Sequence, residues 1–196
     1  CTSLESISLP NTLLSIGEYA FAYANLSRVV IPDSVQTMGK AIFYYNDFLE
    51  SLTLPFIGDV DHSYISYLFG GESYNDNYAI PMSLATIILS NQCTIIPDYA
   101  FYGANYLLNL TMGKNIESIG ANAFYQCSRL SQVKFSEKLQ SIGEYAFYQC
   151  SALKTITLAS EIIKKGAFNG CTSLTGVFLS SLTDLGEEAF AGCSLL

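Results

Sequence analysis

The sequence predicts an α/β solenoid: a right-handed coil with a parallel β-sheet along one face and short helical or 3-10 segments along the other. Three observations carry this. First, Ala123-Phe124-Tyr125-Gln126-Cys127-Ser128-Arg129-Leu130 returns 23 residues later as Ala146-Phe147-Tyr148-Gln149-Cys150-Ser151-Ala152-Leu153. Self-similarity at a fixed period of a few tens of residues is the signature of a coiled repeat array. Second, a six-residue word, Leu-x-x-Ile/Val-x-Leu/Ile, recurs at that period and alternates apolar with polar, the pattern of a half-buried strand. Third, the words are separated by crossovers of about 17 residues, and strands joined that way pair in parallel.

The words open at Leu4, Leu26, Leu49, Leu84, Leu107, Leu130, Leu153 and Leu174. Successive openings lie 22, 23, 35, 23, 23, 23 and 21 residues apart. The expected organisation is therefore one array over residues 1–196, about eight repeats of about 23 residues with a longer unit at 49–83. Pro10, Pro32 and Pro55 follow three of the words and end strands, since proline gives up a ladder N–H. Next comes Ser-Ile-Gly, at 15–17, 118–120 and 141–143, where glycine suits a bend with positive φ. Glu-Tyr-Ala-Phe-Tyr-Gln-Cys then predicts about two turns of helix or 3-10 helix, stable only through packing. With coils about 4.8 Å apart, eight make a prism roughly 40 Å long.

The stretched unit carries an insertion at 57–80 that holds Tyr64, Tyr67, Tyr74 and Tyr78. Leu68-Phe69-Gly70 stands where the Ala-Phe step is due, so the coil completes around extra loop. Insertions in repeat arrays fall on one face and often belong to the binding surface. The chain opens and closes inside repeats, at Cys1 and Leu196, without a polar capping unit. A piece of a longer protein is expected.

Leu-x-x-Ile-x-Leu-Pro, Ser-Ile-Gly and Ala-Phe-x-x-Cys-x-x-Leu at this period resemble the BspA-like leucine-rich repeats, over nearly the whole chain. The unit with Tyr67-Leu-Phe-Gly70 and Ile80-Pro-Met-Ser-Leu84 resembles a recurrent variant of that family. The resemblance implies a cell-surface or secreted protein. It also implies an adhesin-type role for some members, toward host matrix or cell-surface proteins. It brings no catalytic or ligand residues with it.

Composition excludes several classes. A net charge of −8 leaves no basic patch for nucleic acid, and no apolar run reaches the ~20 residues of a membrane helix. Phosphate-loop and nucleophile-elbow motifs are absent, so no catalytic residue, cofactor or metal is expected. His62, in Asp59-Val-Asp-His, lacks ligand spacing for calcium and reads as a solvated turn. Cys1, Cys127, Cys150, Cys171 and Cys193 share one repeat position. A disulfide between neighbours is geometrically open. Ala24, Asn46 and Ala104 at the equivalent positions favour a small buried slot holding free thiols.

The outward positions of the words are mostly Ser and Thr. Ile88 and Leu108 break that pattern directly after the insertion. Exposed apolar residues rimmed by polar ones mark protein-binding patches. The candidate protein-binding residues are thus Ile88, Leu108, Thr86, Asn109, Thr111, Tyr64, Tyr67, Tyr74 and Tyr78. The competing reading makes Ile88 and Leu108 mere supports for the loop. Function is expected to be non-enzymatic protein binding through the strand face near the insertion. The alternatives are a structural spacer and carbohydrate binding through the tyrosines around each Phe.

Overall fold

The computed structural model describes residues 3–196, so Cys1 lies outside the described residues. The chain winds about seven turns, one for each interval between leading leucines. Strands are numbered in chain order. The front wall is built by the leucine words: β2 (Arg28–Val30), β4 (Ser51–Leu54), β5 (Thr86–Leu89), β7 (Asn109–Thr111), β9 (Gln132–Lys134), β11 (Thr155–Leu158) and β13 (Gly176–Leu179). The rear wall consists of two-residue strands: β1 (Ser15–Ile16), β3 (Thr37–Met38), β6 (Ile95–Ile96), β8 (Ser118–Ile119), β10 (Ser141–Ile142), β12 (Ile162–Ile163) and β14 (Asp184–Leu185). A third wall of turns carries the Ala-Phe pairs.

All pairing is parallel and in register with the repeat, as in Ser51↔Thr86 and Ser118↔Ser141. Alternation does its expected work: Leu52 and Leu54 are buried while Ser51 and Thr53 are half-buried. Each ladder is interrupted once. The rear ladder stops at β3 and resumes at β6, because the insertion occupies that stretch. The front ladder stops at β9 and resumes at β11.

Two local expectations are corrected. Ser-Ile-Gly is a rear strand and not a bend, and its glycines do not adopt positive φ. They are needed for close stacking: a Cβ on Gly120 would stand 2.4 Å from the amide nitrogen of Asp98, and one on Gly143 would stand 2.6 Å from that of Ala121.

The second correction concerns the helical face, and with it the α/β assignment: the third wall is turn, not helix. Left-handed residues stand two before and two after each Phe, for example Tyr145 (φ 53°) and Gln149 (φ 55°) around Phe147. A left-handed L-residue costs roughly 1–2 kcal/mol and breaks an α-helix. Here bonds between coils offset that cost. The amides of Phe124 and Phe147 donate to the carbonyls of Ala146 and Ala167, each at 2.7 Å. Among the described residues, helical segments are confined to the insertion, as the 3-10 turns Ile65–Phe69 and Asn77–Ala79.

The core is a ladder of stacked phenylalanines. Centroids are 5.1 Å apart for Phe101–Phe124, 4.9 Å for Phe124–Phe147, 5.1 Å for Phe147–Phe168 and 5.3 Å for Phe168–Phe190. That spacing follows the strand spacing of about 4.8 Å, so walls and core share one period. Cys93, Cys127, Cys150, Cys171 and Cys193 are unbridged thiols, all but Cys193 buried.

Candidate protein-binding surface

The insertion begins with a turn. Asp59 Oδ1 accepts from the amides of Asp61 (2.9 Å) and His62 (2.6 Å), and the His62 ring stacks on Tyr67 with centroids 4.8 Å apart. Desolvation pushes the Asp59 carboxyl up, but hydrogen bonds from Tyr67 and from the two amides outweigh it and hold the group below its ordinary value. Burial, followed by the bond to Asp59, pushes Tyr67 up to about 12. His62 thus sits in a turn as expected, but its ring is half-buried against Tyr67 and not fully solvated. Among the described residues no three His, Cys, Asp or Glu side chains cluster for a metal.

The 3-10 turn Ile65–Phe69 then brings Phe69 into the core beside Phe43, with centroids 5.8 Å apart. Phe43 donates its amide to the carbonyl of Leu68 at 2.9 Å, and left-handed Gly70 (φ 98°) closes the turn. Leu68-Phe69-Gly70 therefore does replace the Ala-Phe step. The remaining loop is held to the same wall. Asn77 Nδ2 donates to the carbonyl of Tyr102 (2.8 Å), and Tyr74 packs on Tyr99 and Tyr102 with centroids 4.4 and 5.2 Å away. Tyr64 donates its hydroxyl to the carbonyl of Glu72 at 2.9 Å, and Lys40 pairs with Glu72.

The nine sequence-derived candidates thus fall into two groups. Thr86, Ile88, Leu108, Asn109 and Thr111 meet on the front wall, where Ile88 lies between Thr53 and Thr111, and Leu108 is bonded to Ala85. Ile88 and Leu108 are both half-buried. Tyr64, Tyr67, Tyr74 and Tyr78 lie on the turn wall. Recruitment of Phe69 into the core ladder pins the insertion to the turn wall, where Tyr74 and Asn77 also make their contacts.

The turn wall holds a cluster that the leucine words did not point to. Tyr19 and Tyr23 pack edge-on against Tyr44 at 5.8 and 5.7 Å, and Tyr23 stacks on Tyr45 at 5.3 Å. Tyr19, Tyr23 and Tyr45 remain 52%, 53% and 56% exposed. Tyr78, at 87% exposed, shares with Tyr44, Tyr45 and Phe69 a cavity of about 230 Å³. Its sequence signal was tyrosine at positions 23 and 45, where later coils place Gly or Gln. Farther along, Tyr102, Tyr125 and Tyr148 stack face to face at 4.9 and 4.7 Å. Rings stacked this way hide the faces a sugar would use.

The sequence matches the BspA type Leucine rich repeat region, in six copies, over residues 1–69 and 72–196. The chain belongs to this family. Among solved structures it is similar to the leucine-rich repeat protein TpLRR of T. pallidum, with 27% identity over 57% of this chain and 56% of that one, and a TM-score of 0.55. It is also similar to a leucine-rich cell surface protein of Faecalibacterium prausnitzii, with 26% identity over 98% of this chain and 52% of that one, and a TM-score of 0.57. The pneumococcal vaccine antigen PcpA shares the fold at 21% identity, over 91% of this chain and 47% of that one, with a TM-score of 0.50. The BspA-type chain spans about half the length of these relatives. No curated protein matches it in sequence. Among the described residues, no helix is long and apolar enough to cross a membrane.

Proposed function

We propose that this chain is a non-enzymatic protein-binding module of a cell-surface or secreted protein, and that it contacts its partner through the tyrosine-rich turn wall of the early coils and the insertion. One observation carries the reading: Tyr19, Tyr23 and Tyr45 are exposed yet packed against Tyr44 and one another, and Tyr78 lies exposed beside them at the cavity it shares with Tyr44, Tyr45 and Phe69. Tyrosine offers a large contact area with a polar tip. Rings already ordered by their neighbours lose little entropy when a partner arrives. Repeat-family membership and the cell-surface relative support the setting. A host matrix or cell-surface protein is the proposed partner.

A second reading keeps the contact on the front wall, through Thr86, Ile88, Leu108, Asn109 and Thr111, because Ile88 and Leu108 put apolar surface among small hydroxylic residues. Binding of the chain to immobilised matrix proteins separates the two. Tyr45→Ser with Tyr78→Ser should weaken binding about tenfold or more, as loss of a tyrosine hot spot does, and leave the melting temperature within a few degrees. Ile88→Glu with Leu108→Glu should leave affinity unchanged. The reverse outcome moves the site to the front wall. A well-folded chain that binds nothing in the panel would favour a spacer. Deleting residues 57–80 is a poor test, because it removes Phe69 from the core.

A further inference from the structure

We infer that the cleft between β9 and β11 is a docking site for an extended peptide segment of a partner protein, one with alternating apolar and acidic side chains, which enters the front wall as an added strand.

The break there is local and complete. At the earlier front steps from Ser27 to Ser131, the two amides after the leading leucine both donate back to one carbonyl. Glu50 and Ser51 donate to Ser27 (2.8 and 3.3 Å), Ala85 and Thr86 to Glu50 (3.0 and 3.1 Å), and Ser131 and Gln132 to Leu108 (3.0 and 3.2 Å). The next pair, Lys154 and Thr155, has no such bond to Ser131, and none joins β9 to β11. Each strand still bonds its other neighbour: Met112 donates to Lys134 (2.9 Å), and Ser180 donates to Leu158 (3.2 Å). By strand alternation, the backbone groups of Val133 on one side and of Thr155 and Thr157 on the other are left facing the gap.

Two features of the sequence make the gap. The link from front to rear strand runs six residues from Met112 to Ser118 and from Phe135 to Ser141, but only four from Leu158 to Ile162. The shorter link draws β11 off its neighbour. Phe135 also replaces the Leu, Ile or Met of other coils, and its ring packs edge-on against Phe147 at 5.7 Å.

The floor of the gap is exposed core. Val133 and Phe135 are partly exposed, whereas their equivalents Leu52, Leu54, Ile87, Leu89, Leu110 and Met112 are all buried. The cleft, which runs from Val133 and Phe135 across β11 to Phe178 on β13, holds about 510 Å³, within the usual range of about 300–1,000 Å³ for binding sites. An unpaired strand edge is a template for strand addition, in which main-chain bonds supply affinity and alternate side chains supply specificity. Side chains directed at the floor meet Val133 and Phe135, which asks for apolar residues. Those directed outward pass Lys134, which lines the cleft, and Lys154, next to the lining Thr155; both are exposed cations with no ion pair among the described residues, and against the single lining carboxylate of Glu137 they ask for carboxylates.

The probe is an acetylated, fluorescein-labelled hexapeptide of alternating Val and Asp, added to the full chain. Without peptide, the amides of Phe135, Lys154 and Thr155 should exchange with solvent about a hundredfold faster than those of Ile88 and Asn109. Peptide should slow that exchange and raise the fluorescence anisotropy. N-methylation of its Asp amides should weaken binding about tenfold. So should Lys134→Glu with Lys154→Glu. Four results would overturn the proposal: protection of the cleft amides without peptide at low chain concentration; absence of peptide binding; equal binding of the N-methylated peptide; or protection that grows with chain concentration alone, which assigns the cleft to a second copy of the chain. None of these bears on the tyrosine wall, which lies in other coils.

Discussion

Cys150 donates its Sγ–H to the carbonyl oxygen of Phe124, one coil earlier, at 3.2 Å. Cys127, Cys171 and Cys193 make the same bond to Phe101, Phe147 and Phe168. Asn46 takes the slot in an early coil, donating Nδ2–H to the Phe21 carbonyl at 2.6 Å. The slot takes a small side chain, Ala24 and Ala104 included, and where that side chain can donate it adds a second bond to a carbonyl that already accepts a backbone amide, as Phe124 does from Cys127 at 3.1 Å.

Asn46 brings a second polar atom, Oδ1, that is buried without a partner. Asn46→Cys should keep the donor, remove the orphan and stabilise the chain by about 1 kcal/mol, whereas Asn46→Ala should not stabilise it. Urea unfolding midpoints of the two variants, compared at equal slope, check this. Equal stability of the two would remove any role for the donor.

Thiol reactivity follows burial. Burial pushes Cys171 up to about 12 and Cys93 up to about 11, and raises Cys150 well above its ordinary value. On a Cys1→Ser background, a thiol-specific chromogenic reagent at pH 8 should modify Cys193 first and leave Cys93, Cys127, Cys150 and Cys171 intact until urea is added. Prompt modification of the buried group in the folded chain would contradict the closed core.

The rear-strand glycines are tested by comparison. A methyl on Gly143 would meet backbone of the adjacent coil at 2.6 Å, whereas Gly17 has nothing within 4 Å. Gly143→Ala should cost about 1–3 kcal/mol through overpacking and backbone shift, and Gly17→Ala should cost little. Thermal melts of both read the difference, and similar losses would point away from coil stacking.

The Asp59–Tyr67 contact predicts a pH window. Asp59 titrates lower in the folded chain than its ordinary 3.8, so its contribution is present above that value and is lost as pH falls through the folded one. Tyr67 is raised from 10.0 to about 12, so its contribution is present below 10.0 and is lost as pH rises through about 12. Asp59→Asn should flatten the acid limb of a stability–pH curve, and Tyr67→Phe the alkaline limb. Unchanged limbs in both variants would mean that the contact does not form in solution.

The period, the strand words and the substitution of Leu68-Phe69-Gly70 for an Ala-Phe step were legible because burial imposes them residue by residue. The turn wall was not. Tyr19, Tyr99 and Tyr145 carry no local mark of positive φ, since their left-handed conformation is held by bonds to the next coil and not by their own propensity. The same limit hid the rear strands, whose two residues are too short to show alternation. It also left open which wall the insertion joins, because that depends on where Phe69 is buried, and a linear pattern does not specify it. The gap at β9 was written in a four-residue link and one Phe, a signal readable only once the adjacent coils are superimposed.

The two ladder breaks never fall at the same level of the stack. Where the rear wall is missing, between β3 and β6, the front wall runs unbroken from β4 to β5. Where the front wall opens, between β9 and β11, the rear wall runs unbroken from β10 to β12. Like the staggered joints of a masonry course, no horizontal plane through the column crosses two seams. A pull along its axis meets backbone bonding between strands at every storey, so the column carries both an inserted loop and an open slot with each coil still tied to the next.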